Sequence, residues 1–254
     1  MRIMRFCSLL IFLGIIAACG STLQTKPNSA RFDALYKKAQ AYMDRNNPQM
    51  ALRSLVKAQK LQPNHIGLLT MLGVAYDKLG QDRKALIVWK NAHIINPRSG
   101  EISHNLGVAL MRLQLLDEAK VAFHDALADH KFADRVETYY NLALIQQRRG
   151  AIREMVASLK QLLQIDPGHI PSHKVLADYY RKMHRPDLEE KQLRNILSIN
   201  PHSIITLERL ADLYLQGKNN NKAMVLLERI VIVAPNTAAA KKAKLKLEKV
   251  LDNK

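Results

Sequence analysis

Few residues of this chain are placed to do chemistry. Its two cysteines, Cys7 and Cys19, both fall within the first twenty of 254 residues. The rest of the chain therefore has neither a disulfide framework nor a cysteine-held structural zinc. Nine histidines invite a metal site, chiefly His169 and His173 at i, i+4 with Asp166 close by. That spacing puts two imidazoles on one helix face, as ligation of a metal requires. His65, His169 and His202, however, fall at turns that recur along the chain, where a solvated histidine is the plainer reading. The pair Glu189-Glu190 lies on a helical pattern and reads as solvated surface. No Gly-rich phosphate cradle, nucleophile elbow or H-E-x-x-H stretch occurs. The sequence predicts no catalysis, no metal site and no cofactor, and turns attention to surfaces.

The surface that must be explained is basic. Lys and Arg number 39 against 22 Asp and Glu, a formal +17, while 48% of the residues are apolar. Enough apolar residue is present to exclude disorder over the whole length. The length allows one large domain or two small ones. Such a charge permits nucleic acid, an anionic surface or an acidic protein as partner.

The elements begin with an address. Met1 to Phe6 carries Arg2 and Arg5 and no acid, Cys7 to Ile16 is mostly apolar, and Ala17-Ala18-Cys19 follows. A basic head, a short apolar run and small residues before a cut read as a secretory signal, residues 1–18. Ten residues make about 15 Å of helix, half the hydrocarbon thickness, so this run is too short to stay as a span. The I-A-A-C sequence resembles a bacterial lipobox. That resemblance implies cleavage before Cys19 and lipidation of that cysteine, palmitate included. Gly20 in place of Asp implies sorting to the outer membrane, facing the periplasm. Residues 19–31 then read as the lipidated cysteine and a flexible polar tether.

Beyond the tether the chain repeats. Prolines stand at 63, 97, 167, 201 and 235, and units start at Phe32, Ile66, Gly100, Val136, Ile170 and Ile204. The steps are 34, 34, 36, 34 and 34 residues. The eighth place of each unit is small: Ala39, Gly73, Gly107, Ala143, Ala177, Ala211. The eleventh is Tyr42, Tyr76, Tyr180 and Tyr214 in four units, and the twentieth is Ala51, Ala85, Ala119 and Ala223, with Met155 and Glu189 as departures. The twenty-fourth is large and apolar: Leu55, Trp89, Phe123, Leu159, Leu193, Leu227. Apolar residues at helical spacing make each unit two amphipathic helices, A then B. Small residues mark their closest approach, Gly80 and Gly150 mark the turn between them, and Pro stops helix B. Residues 238–254 set Ala243, Leu247, Val250 and Leu251 on one face and lysines elsewhere, as a capping helix would.

These residues resemble the tetratricopeptide repeat (TPR). The resemblance implies an all-α, right-handed α-solenoid of six TPR helix pairs over 32–237, closed by a capping helix over 238–254. It further implies that helix A lines a groove for a protein partner. Mapped onto the units, the groove offers Tyr36, Met43, Thr70, Val74, His104, Val108, Met111, Tyr140 and Leu144 as an apolar strip. Lys78, Arg112, Arg148, Lys174, Arg181 and Lys182 supply a basic one. Such a pair of strips suits an amphipathic, partly acidic segment.

The one 36-residue step singles out the third unit. Ala126, Asp129, Phe132, Asp134 and Arg135 precede Tyr139-Tyr140-Asn141-Leu142-Ala143. With the lipobox, the tether and six repeats, this stretch resembles that of the PilF/PilW lipoproteins of type IV pilus biogenesis, with Ala133 and Ala143 standing where that family has Pro and Gly. The resemblance implies a non-catalytic, pilotin-like factor, lipid-anchored to the outer membrane, that aids localisation, assembly or stability of the secretin. A second reading keeps the scaffold and changes the machine, to peptidoglycan synthesis or secretion. Nucleic acid is not an expected partner, because the export signal and the absence of a recognition motif oppose it.

Overall fold

The computed structural model describes residues 25–252, so Cys19 and the signal-like segment lie outside the described residues. Among the described residues there are thirteen α-helices and no strand. The chain divides into two compact units, Met1–Phe132 and Ala133–Lys254. In the first, α1 (Thr25–Asp44) pairs with α2 (Pro48–Gln59), α3 (Ile66–Lys78) with α4 (Asp82–Ile95), and α5 (Gly100–Arg112) with α6 (Leu116–Ala128). In the second, α7 (Arg135–Arg148) pairs with α8 (Ile152–Ile165), α9 (Ile170–Lys182) with α10 (Pro186–Ile199), and α11 (Ile204–Gln216) with α12 (Asn220–Val233). The last helix, α13 (Ala238–Asp252), packs on α12. Helix α1 takes in residues 25–31, which the sequence reading gave to the tether. Pro27 falls in its first turn, where a missing backbone donor costs no helical hydrogen bond.

The closest approach of each pair is made by residues of unequal size. A Cβ added to Gly73 would lie 2.4 Å from the Trp89 ring, and one added to Gly107 would lie 2.7 Å from Phe123. Trp89 and Phe123 are wholly buried, as are Leu55 and Leu159 at the same place in other pairs. Ala51, Ala85, Ala119 and Ala223 are wholly buried opposite them. Small against large is what lets two helices interlock at native density.

The turns are as regular as the cores. The fifteenth residue of every unit has a left-handed backbone: Asn46, Gly80, Gln114, Gly150, His184 and Lys218, with φ between 52° and 72°. Two of the six advertise it by being Gly, and the other four hold a conformation that L-residues resist. Some helix starts are capped by a side chain. His65 Nδ1 accepts the Leu68 N–H at 3.1 Å, Ser99 Oγ that of Ile102 at 3.4 Å, and His169 Nδ1 that of Ser172 at 3.3 Å. Helix α13 buries Ala240, Ala243 and Val250, whereas Leu251 is 55% exposed, contrary to the face drawn from the sequence. The inward face thus runs through Val250 in the last turn and leaves its neighbour Leu251 outside.

Candidate protein-binding surface

In the first unit the predicted apolar strip is built on α1, α3 and α5. Tyr36, Met43, Val74, His104, Val108 and Met111 are all half-buried. Several of them are held by the fold itself. Tyr36 stacks on Phe32 at 5.7 Å between centroids and meets the edge of His65 at 5.6 Å. His104 lies 5.7 Å from the Phe123 ring and 5.6 Å from Phe132. Thr70 returns its hydroxyl to the Ile66 carbonyl at 3.0 Å. These side chains present one flank outward and spend the other on their neighbours.

The cations of this unit are engaged. Arg112, on α5, donates to Asp77 of α3 at 2.9 Å and lies 3.6 Å from Asp82. Asp77 also accepts the Trp89 indole N–H at 2.8 Å. Burial raises the Asp77 carboxyl above its ordinary range, against the lowering pull of Trp89 and Arg112. Lys78 donates to Asn46 of the preceding repeat at 3.1 Å. Arg112 and Lys78 therefore bolt adjacent repeats together before they meet any partner.

The lengthened third repeat has a structural account. Asp129 accepts the Gly100 N–H at the start of α5 and its own Lys131 N–H, both at 2.9 Å. Those two backbone donors hold its carboxyl below the ordinary aspartate value. Phe132 is buried against Gly100, whose added Cβ would lie 2.5 Å from it. Ala126 is wholly buried and its carbonyl accepts the Asp129 N–H. The stretch thus folds back and closes the third pair, which lacks the Pro that ends the other units.

In the second unit, Tyr140 and Leu144 are half-buried, and Tyr140 meets the edge of His169 at 5.1 Å. This repeats the Tyr36–His65 contact of the first unit. Arg148 on α7 and Lys174, Arg181 and Lys182 on α9 are exposed. Lys174, Arg181 and Lys182 make no ion pair with the described residues, so this unit offers the open cations that Arg112 and Lys78 do not.

Sequence reasoning missed a charge cluster here. Glu189 occupies the place that Ala fills in four other repeats, is 3% exposed, and accepts from Arg209 Nε at 2.7 Å. Arg209 reaches back from α11 and also pairs with Asp178 of α9, leaving its Nη2 buried without a partner. The expectation that Glu189 is solvated is corrected: it is a buried carboxylate paired across the repeat boundary. Its departure from the Ala pattern was the available signal. Glu190 is half-buried and bonded to Arg194 at 2.8 Å and Tyr214 at 2.7 Å. The i, i+4 histidines are likewise occupied separately. His169 caps α9, and His173 is buried with its nitrogens on Gln192 and the Pro167 carbonyl. Among the described residues no cluster of His, Cys, Asp and Glu is arranged to hold a metal, and no helix is long and apolar enough to cross a membrane.

Tetratricopeptide repeat models match residues 32–65 and 136–169, and a second such model matches 190–247. An uncharacterized protein of Haemophilus influenzae is 27% identical over 160 residues, 63% of this chain and 89% of its own. The structure of Pseudomonas aeruginosa PilF matches with a TM-score of 0.64 at 15% identity, over 87% of this chain and 99% of its own. PilW, a widely conserved type IV pilus biogenesis factor, scores 0.61 at 21% identity over 83% and 97%. MamA scores 0.63 at 20% identity over 68% and 93%. At these identities the likeness is one of fold. Helix pairs, repeat matches and structural likeness agree that this chain carries tetratricopeptide repeats, the fold of a protein-binding scaffold.

Proposed function

We propose that this protein is a lipoprotein scaffold of type IV pilus biogenesis, anchored through Cys19 in the outer membrane and supporting assembly of the secretin. The observation that carries the reading is the lipobox joined, in one chain, to a lengthened third repeat closed by Asp129 and Phe132. The fold is the one shared with PilF and PilW over more than four-fifths of the chain. The lipid would supply location, and the half-buried apolar strips with the open cations of α9 would supply specificity for an acidic, amphipathic segment. No turnover is needed in such a role.

Replacing Cys19 with Ser tests the anchor. The variant should fold as the wild type, remain unanchored, and fail to support heat-resistant secretin multimers and surface pili. Normal multimers in that strain would overturn the reading. A second reading, attachment to an anionic wall polymer, draws on the unpaired Lys174, Arg181 and Lys182. It predicts co-sedimentation with purified sacculi that is lost at high salt.

A further inference from the structure

The second unit contains a cleft of about 750 Å³ lined by α8, α9 and α10. It lies apart from the groove cations Lys174 and Arg181, which do not line it. Its apolar wall is Leu163 of α8, Leu176 of α9, and Leu188 and Ile199 of α10. Lys160 of α8 and Lys191 of α10 are exposed at it, and no carboxylate lines it. Neither lysine makes an ion pair with the described residues.

The inner edge of the cleft is a buried polar pair. The fourth and twenty-third places of a unit are both apolar in the second repeat (Leu69, Val88) and the sixth (Leu207, Leu226), while Ser54, Ser103 and Ser158 take one of them in the first, third and fourth. In the fifth they are His173 and Gln192, 3% and 7% exposed and joined at 2.8 Å, with the other His173 nitrogen 2.9 Å from the Pro167 carbonyl. In the fifth repeat both places are therefore polar, where the second and sixth repeats set two apolar side chains. Tied to the turn before α9, the pair fixes the cleft's inner edge.

We propose that this cleft is a second docking site, taking an acidic, apolar peptide segment of a partner protein. Its volume falls within the range of ligand sites, about 300–1,000 Å³. Leucine-type side chains would cover the wall, and carboxylates would meet Lys160 and Lys191. Gln164, Asn195 and Ser198, also at the cleft, supply donors and acceptors for a peptide backbone. An acyl chain would leave those amides desolvated and unpaired, which is costly. The site does not depend on the pilus reading.

The test uses residues 19–254 carrying Cys19→Ser, and two labelled probe peptides. One is a helical peptide with leucines at i, i+3 and i+7 and glutamates between them. The other has lysine in place of each glutamate. Fluorescence anisotropy should show binding of the acidic probe only. Lys160→Glu with Lys191→Glu should weaken it at least tenfold, and His173→Leu with Gln192→Leu should abolish it while raising the melting temperature. Equal binding of both probes, or none of either, would overturn the site. So would loss of binding in Lys174→Glu with Arg181→Glu while the cleft variants bind normally, which places the probe in the groove instead. Lysine-dependent binding to phosphatidylglycerol vesicles without peptide binding would overturn it in favour of lipid.

Discussion

At the scale of single residues, the repeat tolerates unfavourable backbones and depends on a few atoms of clearance. His184 and Lys218 sit at φ 52° and 55°, where a Cβ is penalised and Gly80 and Gly150 are not. Replacing either with Gly should stabilise the protein by about 0.5 kcal/mol, the relief of strain less the added entropy of the unfolded chain. Thermal melting checks the sign, and a lower melting temperature would show that the side chain contributes more than its strain costs. Gly73 is the converse case. A Cβ there would strike the Trp89 ring, which is wholly buried and bonded to Asp77, so Gly73→Ala should cost about 1–3 kcal/mol. Asp129 carries a prediction in pH. Its carboxyl is held low in the folded state by the Gly100 and Lys131 N–H groups, so its contribution is complete above the unfolded value near 4. That contribution is lost as pH falls through the lower folded value. Asp129→Asn should therefore lower stability at pH 7 and flatten its decline below about pH 4, measured by urea unfolding at a series of pH values. An unchanged acid limb would mean that the carboxylate is not what closes the third repeat.

At the scale of the helix, ion pairs join helices of adjacent repeats and tie the last repeat to the capping helix. Asp77 meets Arg112, Asp178 and Glu189 meet Arg209, Glu208 meets Lys242, and Asp212 meets Lys246. Most of these are exposed and contribute little. Glu189 is different, because its side chain is 4% exposed and stands where an Ala would otherwise pack. Arg209→Leu should cost about 3 kcal/mol by leaving that carboxylate buried and unpaired. Adding Glu189→Ala to it restores the repeat's usual residue and should recover most of the loss, as a double-mutant cycle would read. Near-additive losses would remove the coupling. The same comparison explains what the sequence made legible. Helix pairs and the interlocking small and large residues recur in every unit, so one pattern read six times exposes them. Four of the six left-handed turns are hidden, because Asn46, Gln114, His184 and Lys218 do not announce their backbone. The Arg209 cluster and the His173–Gln192 pair depend on which side chains of successive repeats come opposite each other. Composition and periodicity are silent on that register, and only the departure at Glu189 pointed toward it.

At the scale of the whole molecule, the +17 balance is not spread evenly in effect. Arg112, Arg194, Arg209, Lys242 and Lys246 are spent on internal carboxylates, and a variant at any of them tests stability before function. Lys174, Arg181 and Lys182 are exposed on one helix with no such obligation. Unpaired charge of one sign steers an oppositely charged partner and is worth more in association rate than in folding. Reversing all three to Glu should shift the melting temperature by no more than about 2 °C, as surface changes do. On the proposed pilus reading, the triple variant should accumulate in cells to wild-type levels and lose surface piliation, since an acidic partner would meet repulsion. A variant that accumulates normally and assembles normal pili would take the basic strip out of the function and leave the apolar residues of the groove to carry it. A variant that fails to accumulate would mean instead that these cations stabilise the fold, against their lack of any carboxylate partner among the described residues.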